Sequence, residues 1–184
     1  MRDIKTKIRV SVAAALVIAA VLMTGCGKVV ESWAYIHDPQ TEILALYDNG
    51  RAVYKGSDYK YTKDDRYIVL TDKAGTETKL RYVPDGDKML LYERSVYTYG
   101  GEGTPDSVVG AWGQDNGWSY EFTDKGTFSE ESIFFGHYTV DENEHTIKLM
   151  YDDPIEDAIL YYSLDGNELT VDYPWPMVPT GSGS

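Results

Sequence analysis

The stretch Trp118-Ser119-Tyr120-Glu121-Phe122-Thr123-Asp124-Lys125-Gly126 decides the fold class. Three aromatic side chains alternate with small or polar ones, and the run then breaks on Asp-Lys-Gly. A period of two sets one face of a strand in a core and the other in water. The Asp/Gly ending supplies the left-handed backbone values that a tight hairpin requires. The same grammar recurs outward along the chain. Ile147, Leu149 and Tyr151 alternate, then Leu160, Tyr162 and Leu164, then Leu169, Val171 and Tyr173. Asp141-Glu142-Asn143, Asp152-Asp153-Pro154 and Asp165-Gly166-Asn167 punctuate these runs. Closely spaced turn signals between short alternating segments predict antiparallel meanders. No helix-period segment follows residue 26, and the 16 tyrosines suit pleated, half-buried surfaces.

The pattern is written twice. Asp48-Asn49-Gly50 matches Asp124-Lys125-Gly126, and Tyr61-Thr62-Lys63-Asp64 matches Tyr138-Thr139-Val140-Asp141. Ile68 and Leu70 match Ile147 and Leu149, Asp85-Gly86 matches Asp165-Gly166, and Trp33 matches Trp112. Such self-similarity at a nearly constant offset indicates a duplication with small insertions in turns. The expected organisation is a first β-meander repeat over 26–99, a linker over 100–107, and a second repeat over 108–173. A C-terminal tail, 174–184, follows, and its prolines argue against strand structure. Each repeat alone is small for a stable core, and one cysteine allows no internal disulfide, so the two are expected to lean on each other.

The second copy carries Gly110-Ala111-Trp112, Tyr120-Glu121-Phe122, Asp124-Lys125-Gly126, Gly136-His137-Tyr138-Thr139 and Asp165-Gly166-Asn167-Glu168-Leu169. This succession resembles a family of small lipocalin-like β-meander domains of unknown function in bacterial surface lipoproteins. The first copy keeps Trp33 but has Glu31 where the starting glycine belongs. The resemblance implies an all-β fold of two tandem antiparallel meander units, each a small or partial barrel, and a surface location. It implies no chemistry.

The N-terminus reads as an export signal. Arg2, Lys5, Lys7 and Arg9 precede the apolar run Val10–Met23, which ends in Thr24-Gly25-Cys26. A basic start, an apolar stretch too short to span a bilayer and small residues at its exit describe a signal peptide over 1–25, expected as a signal helix. Leu22-Met23-Thr24-Gly25-Cys26 resembles the lipobox of bacterial lipoproteins, although Met23 stands where leucine is usual. That resemblance implies diacylglycerylation of Cys26, with palmitate-type acyl chains anchoring the chain to the extracytoplasmic side of a bacterial cell membrane. Two or more acyl chains hold a protein on a membrane where one is marginal.

The chain carries 17 basic and 30 acidic side chains, and the acidity is uneven. Residues 26–100 hold 11 bases and 12 acids, whereas residues 101–184 hold Lys125 and Lys148 against 17 acids. Such a balance repels polyanions, so nucleic acid is not an expected partner. Nothing in the motifs announces an enzyme. The chain has no serine elbow, no His-Glu-x-x-His and no phosphate-cradling loop. Carboxylates are abundant enough for the acid pair of a hydrolase, but no spacing singles one out. His137 and His145, with Glu144, would hold a divalent metal if a hairpin brought them together. Asp152, Asp153, Glu156 and Asp157 form the candidate calcium cluster, calcium being the one cofactor considered. Tyr92, Tyr97, Tyr99 and Trp175 are the candidate ligand-stacking residues, for a glycan or a small apolar molecule. The expected role is non-enzymatic binding or envelope interaction. The alternatives are a ligand-binding module, an adaptor lipoprotein meeting a protein partner, and a calcium-stabilised surface domain. A concave cavity lined by Trp, Tyr and Phe favours the first of these.

Overall fold

The computed structural model describes residues 27–180; the expected signal peptide and Cys26 lie outside them. The described chain is all-β, a single antiparallel meander of fourteen strands. The first seven are β1 (Val29–Tyr35), β2 (Glu42–Tyr47), β3 (Arg51–Tyr54), β4 (Ser57–Lys63), β5 (Tyr67–Thr71), β6 (Glu77–Asp85) and β7 (Lys88–Tyr99). The second seven are β8 (Gly110–Gly113), β9 (Ser119–Phe122), β10 (Thr127–Glu130), β11 (Phe134–Asp141), β12 (Thr146–Tyr151), β13 (Ala158–Asp165) and β14 (Glu168–Pro179). Residues 100–109 connect the two sets without a strand.

The matched turns show why those residues recur. Gly50 and Gly126 take φ of 78° and 76°, values that cost an L side chain a Cβ clash. Gly50 N–H donates to the Tyr47 carbonyl, and Gly126 N–H donates to that of Thr123, both at 3.1 Å. Tyr61 and Tyr138 then each donate a backbone N–H to the turn glycine, at 2.9 Å. Their hydroxyls reach across to the Tyr47 and Thr123 carbonyls, at 3.2 and 2.8 Å. One aromatic residue therefore ties each hairpin at two points.

The sheet closes on itself and is pinched at the waist. Strands β7 and β14 pair with each other over ten residues, from Glu168↔Thr98 to Met177↔Met89. The other edge of β7 is shared, with β6 beside residues 88–92 and β8 beside residues 98–99. The other edge of β14 is shared likewise, with β13 beside 168–172 and β1 beside 177–179. Two cycles of pairing result. One runs β1 to β7 and closes through the C-terminal half of β14. The other runs β8 to β14 and closes through the C-terminal half of β7. Each set of seven strands thus borrows an eighth from the other.

The expected tail at 174–184 is therefore corrected: β14 continues to Pro179. Prolines interrupt a strand by removing a ladder donor. Here the Pro176 carbonyl accepts from Ile36, so in this antiparallel strand the even-numbered residues face the β13/β1 edge. Pro174 and Pro176 fall where β13 has ended, at Asp172, and the β1 register has not begun, at Met177. Their missing N–H groups take no bond from the ribbon.

Inward-facing residues form two cores on one face of the β7–β14 ribbon. The first is mostly aliphatic, with Leu44, Leu46, Ile68, Leu70, Leu91 and Met177 all but inaccessible to solvent. The second is richer in rings, with Trp112, Tyr120, Phe122 and Phe128 beside Ile147 and Leu149. Each fully buried leucine contributes about 1.5–3 kcal/mol of transfer free energy. Gly110 (φ 136°) lies under the Tyr99 ring, where a Cβ would approach to 2.5 Å. The corresponding pair in the first set is Trp33↔Pro179, a proline in the place of Tyr99, and there Glu31 accepts from Trp33 Nε1 at 3.1 Å.

Candidate functional site

The ribbon positions the site. Residues 89, 91, 95 and 97 of β7 carry Met, Leu, Ser and Tyr inward, with Glu93 at the centre. In the β7–β14 register Glu93 faces Tyr173, which is also its counterpart at the repeat offset of 80. The centre of the ribbon is thus the approximate two-fold point of the two strand cycles. Above it, between the two cores, lies a cavity of about 750 Å³. Its walls come from both sets of strands: Tyr54, Glu93 and Trp175 near the first core, Tyr120, Glu130 and Tyr151 near the second.

Two carboxylates dominate the interior, and each is held by phenols. Glu93 accepts from Tyr35 Oη and Tyr54 Oη, both at 2.8 Å, and from Lys55 Nζ at 2.7 Å. Burial and the Glu93 charge hold both phenols well above the usual tyrosine range. Glu130, only 6% exposed, accepts from Tyr120 Oη at 2.9 Å and Tyr151 Oη at 2.7 Å. Burial pushes its carboxyl above the ordinary glutamate value, against the opposing pull of the two phenol donors. Tyr97 and Tyr173 stand behind them, interacting with Tyr120 and Tyr151 respectively. Among the described residues, no lysine, arginine or histidine pairs with Glu130.

The cationic groups of the cavity wall are already engaged. Lys55 binds Glu93, Arg94 makes a two-pronged contact with Asp172, and Lys79 sits 3.8 Å from the centre of the Tyr67 ring. One side of the lip is apolar, with Trp118, Phe134 and Ile155 partly open to solvent, and the other carries Glu77, Thr78 and Lys79. The β10–β11 turn beside Glu130 is strained. Glu131 and Ser132 both take left-handed φ, 56° and 57°, where the first set has Lys55-Gly56. Two non-glycine residues in that region cost about 1–2 kcal/mol each. The Glu131 carboxylate accepts from Ser119 N–H at 2.7 Å, which pins the turn to β9.

The expected ligand-stacking residues divide. Tyr97 and Trp175 line the cavity. Tyr92 packs on the opposite face of the ribbon, edge-on to Tyr161, and Arg81 caps that pair. Tyr99 packs on Trp112, with ring centroids 5.1 Å apart. Asp152, Asp153, Glu156 and Asp157 lie exposed between β12 and β13, and Asp157 pairs with Lys148 at 3.0 Å. No group of three His, Cys, Asp or Glu side chains among the described residues is placed to hold a metal ion. His137 pairs with Met150, four positions from the Asp141↔Thr146 end of the hairpin, which is about 13 Å along the strand. His145, in the turn, meets Tyr162 instead.

Glu93, Glu130, Tyr54, Tyr120, Tyr151 and Tyr173 are the site residues that pattern reading passed over. Parity within strands was the available signal. Glu130 stands two residues after the buried Phe128, and Glu93 two after the buried Leu91, each a carboxylate at a core position. A scan against protein-family models finds no match to this chain, and searches of curated proteins and of solved structures return none either.

Proposed function

We propose that this chain is a lipid-anchored, extracytoplasmic binding protein without enzymatic activity, which takes a small ligand in the cavity between its two strand cycles. In this reading the fourteen strands are two lipocalin-like meander units, and Cys26 carries the acyl anchor. The observation that carries the proposal is the cavity itself. Its volume of about 750 Å³ lies within the range of small-molecule sites, and aromatic walls enclose a few convergent polar groups. The basic, apolar and Thr24-Gly25-Cys26 segments support the anchored location.

Titrating the full chain with the neutral fluorophore N-pentyl dansylamide tests the reading. Saturable enhancement is expected for the wild type. It should be lost in Ser95→Trp, which fills the ribbon centre; the same titration of that variant subtracts partitioning into lipid or detergent. Equal enhancement in both chains overturns the assignment of the cavity. For the anchor, fatty-acid labelling should mark the wild type and spare Cys26→Ser; equal labelling of both overturns it.

A further inference from the structure

Glu130 presents an unusual balance. A carboxylate accepts about four hydrogen bonds, and Glu130 receives two, both from uncharged phenols. A buried charge normally has an opposite charge beside it. Its counterpart across the ribbon, Glu93, follows that rule through Lys55, but the residue at the Lys55 position of the second set is Glu131. Instead of a cation, Glu130 has tyrosines around it: the hydroxyls of Tyr120 and Tyr151 bonded to it, with Tyr97 and Tyr173 behind them. Aromatic faces attract cations, most strongly away from water. Residues 101–184 hold 17 acids and two bases, and the three cations that the first set brings to the cavity wall, Lys55, Lys79 and Arg94, are already engaged by Glu93, the Tyr67 ring and Asp172. The apolar side of the lip, Trp118, Phe134 and Ile155, suits a ligand with an apolar body rather than a hydrated metal ion.

We propose that the cavity selects an organic cation with an aromatic or apolar body, its ammonium group against Glu130 and within the tyrosine rings. This rests on the reading of the cavity as a ligand site. The body lies along Trp118 and Phe134, and the cation supplies the partner that Lys55 supplies to Glu93. An anion of the same shape is rejected by Glu130 and Glu131.

Three dansyl probes of matched length separate the possibilities in fluorescence titrations of the full chain. They are dansylcadaverine, cationic; N-pentyl dansylamide, neutral; and 6-(dansylamino)hexanoate, anionic. The expected order is cation, neutral, anion, with the cation at least about tenfold tighter than the neutral probe. In Glu130→Gln, which keeps the shape and removes the charge, the cation and neutral affinities should converge while neutral binding persists. Glu142→Gln removes the same charge from the exposed β11–β12 turn and should leave the ratio unchanged. Cation preference that survives in Glu130→Gln, or falls equally in Glu142→Gln, overturns this inference and assigns the effect to net charge. Neutral binding without cation preference overturns the inference alone. Failure of all three probes to bind overturns the binding reading as well.

Discussion

The two strand cycles share a strand order and differ in what they enclose. The first surrounds mainly leucines and methionines, with one alanine, one isoleucine and one buried tyrosine, and its carboxylate, Glu93, is neutralised by Lys55. The second surrounds rings, and its carboxylate, Glu130, is held by phenols alone. At matched positions Tyr54 stands for Glu130 and Glu93 for Tyr173, so the carboxylate and the tyrosine have exchanged strands between the copies. A repeated strand order thus accommodates different interiors while the matched hairpin ties stay the same. The first cycle pairs its carboxylate with a cation, and the second holds its carboxylate with phenols alone.

The largest effect tests whether the copies are mutually dependent. Removing residues 174–184 takes Trp175 and Met177 out of the first cycle and opens it, although the deleted segment follows the second repeat. Losses of at least about 5 kcal/mol are expected, given about 2–5 for a buried Met and 3–5 for a Trp. Urea unfolding measures the loss, and amide exchange should show β1 and β2 deprotected first. A shortened chain that unfolds at the wild-type midpoint would return residues 174–179 to the status of a tail.

Leu70→Ala and Leu149→Ala strike matched, fully buried positions in the two cores. Each should cost about 2–5 kcal/mol. Because both cycles use the same ribbon, each variant should still melt in one transition by calorimetry. Two separate transitions, one shifted in each variant, would show independent units.

The third prediction tests the buried carboxylate of the second cycle, Glu130, by pH. Burial raises the folded-state value of Glu130 above the ordinary 4.5, so the folded chain holds that proton more tightly than the unfolded one. Its contribution to stability therefore falls as pH climbs from that ordinary value through the raised one, and the penalty persists above it. The difference in urea midpoint between wild type and Glu130→Gln should move in the variant's favour across that window. A pH-independent difference would place Glu130 in a more solvated setting than its hydrogen bonds describe.

The smallest effect is a reciprocal exchange at matched turns. Ser132→Gly relieves a left-handed serine and should stabilise by about 1 kcal/mol, whereas Gly56→Ser imposes the same strain and should cost a similar amount. Thermal melts of both chains check the signs. A neutral Ser132→Gly would mean that the turn beside Glu130 carries no stored strain.

Local chemistry made most of the strands legible. Alternation in Trp118–Phe122 and Ile147–Tyr151, with Asp-x-Gly stops, depends only on residues within reach of one hairpin, and so did the twofold repetition. β14 was misjudged beyond Tyr173 for the same reason. A local rule sees three prolines, but only the edge on which their missing donors fall decides whether pairing survives, and that edge is set by β1 and β13 from distant sequence. The site was hidden likewise. Tyr97 and Trp175 were recognisable as unassigned rings, yet nothing near Glu130 in the chain indicates that Tyr120 and Tyr151 donate to it or that no cation reaches it. The sequence by itself determined the all-β class, the turns, the repetition of its own pattern and the charge asymmetry, because each is a sum over near neighbours or over composition. Tertiary structure alone decided the shared ribbon, the cavity at its centre and the pairing of its carboxylates. Those follow from strand register, which brings residues 10 to 148 positions apart into hydrogen-bond distance.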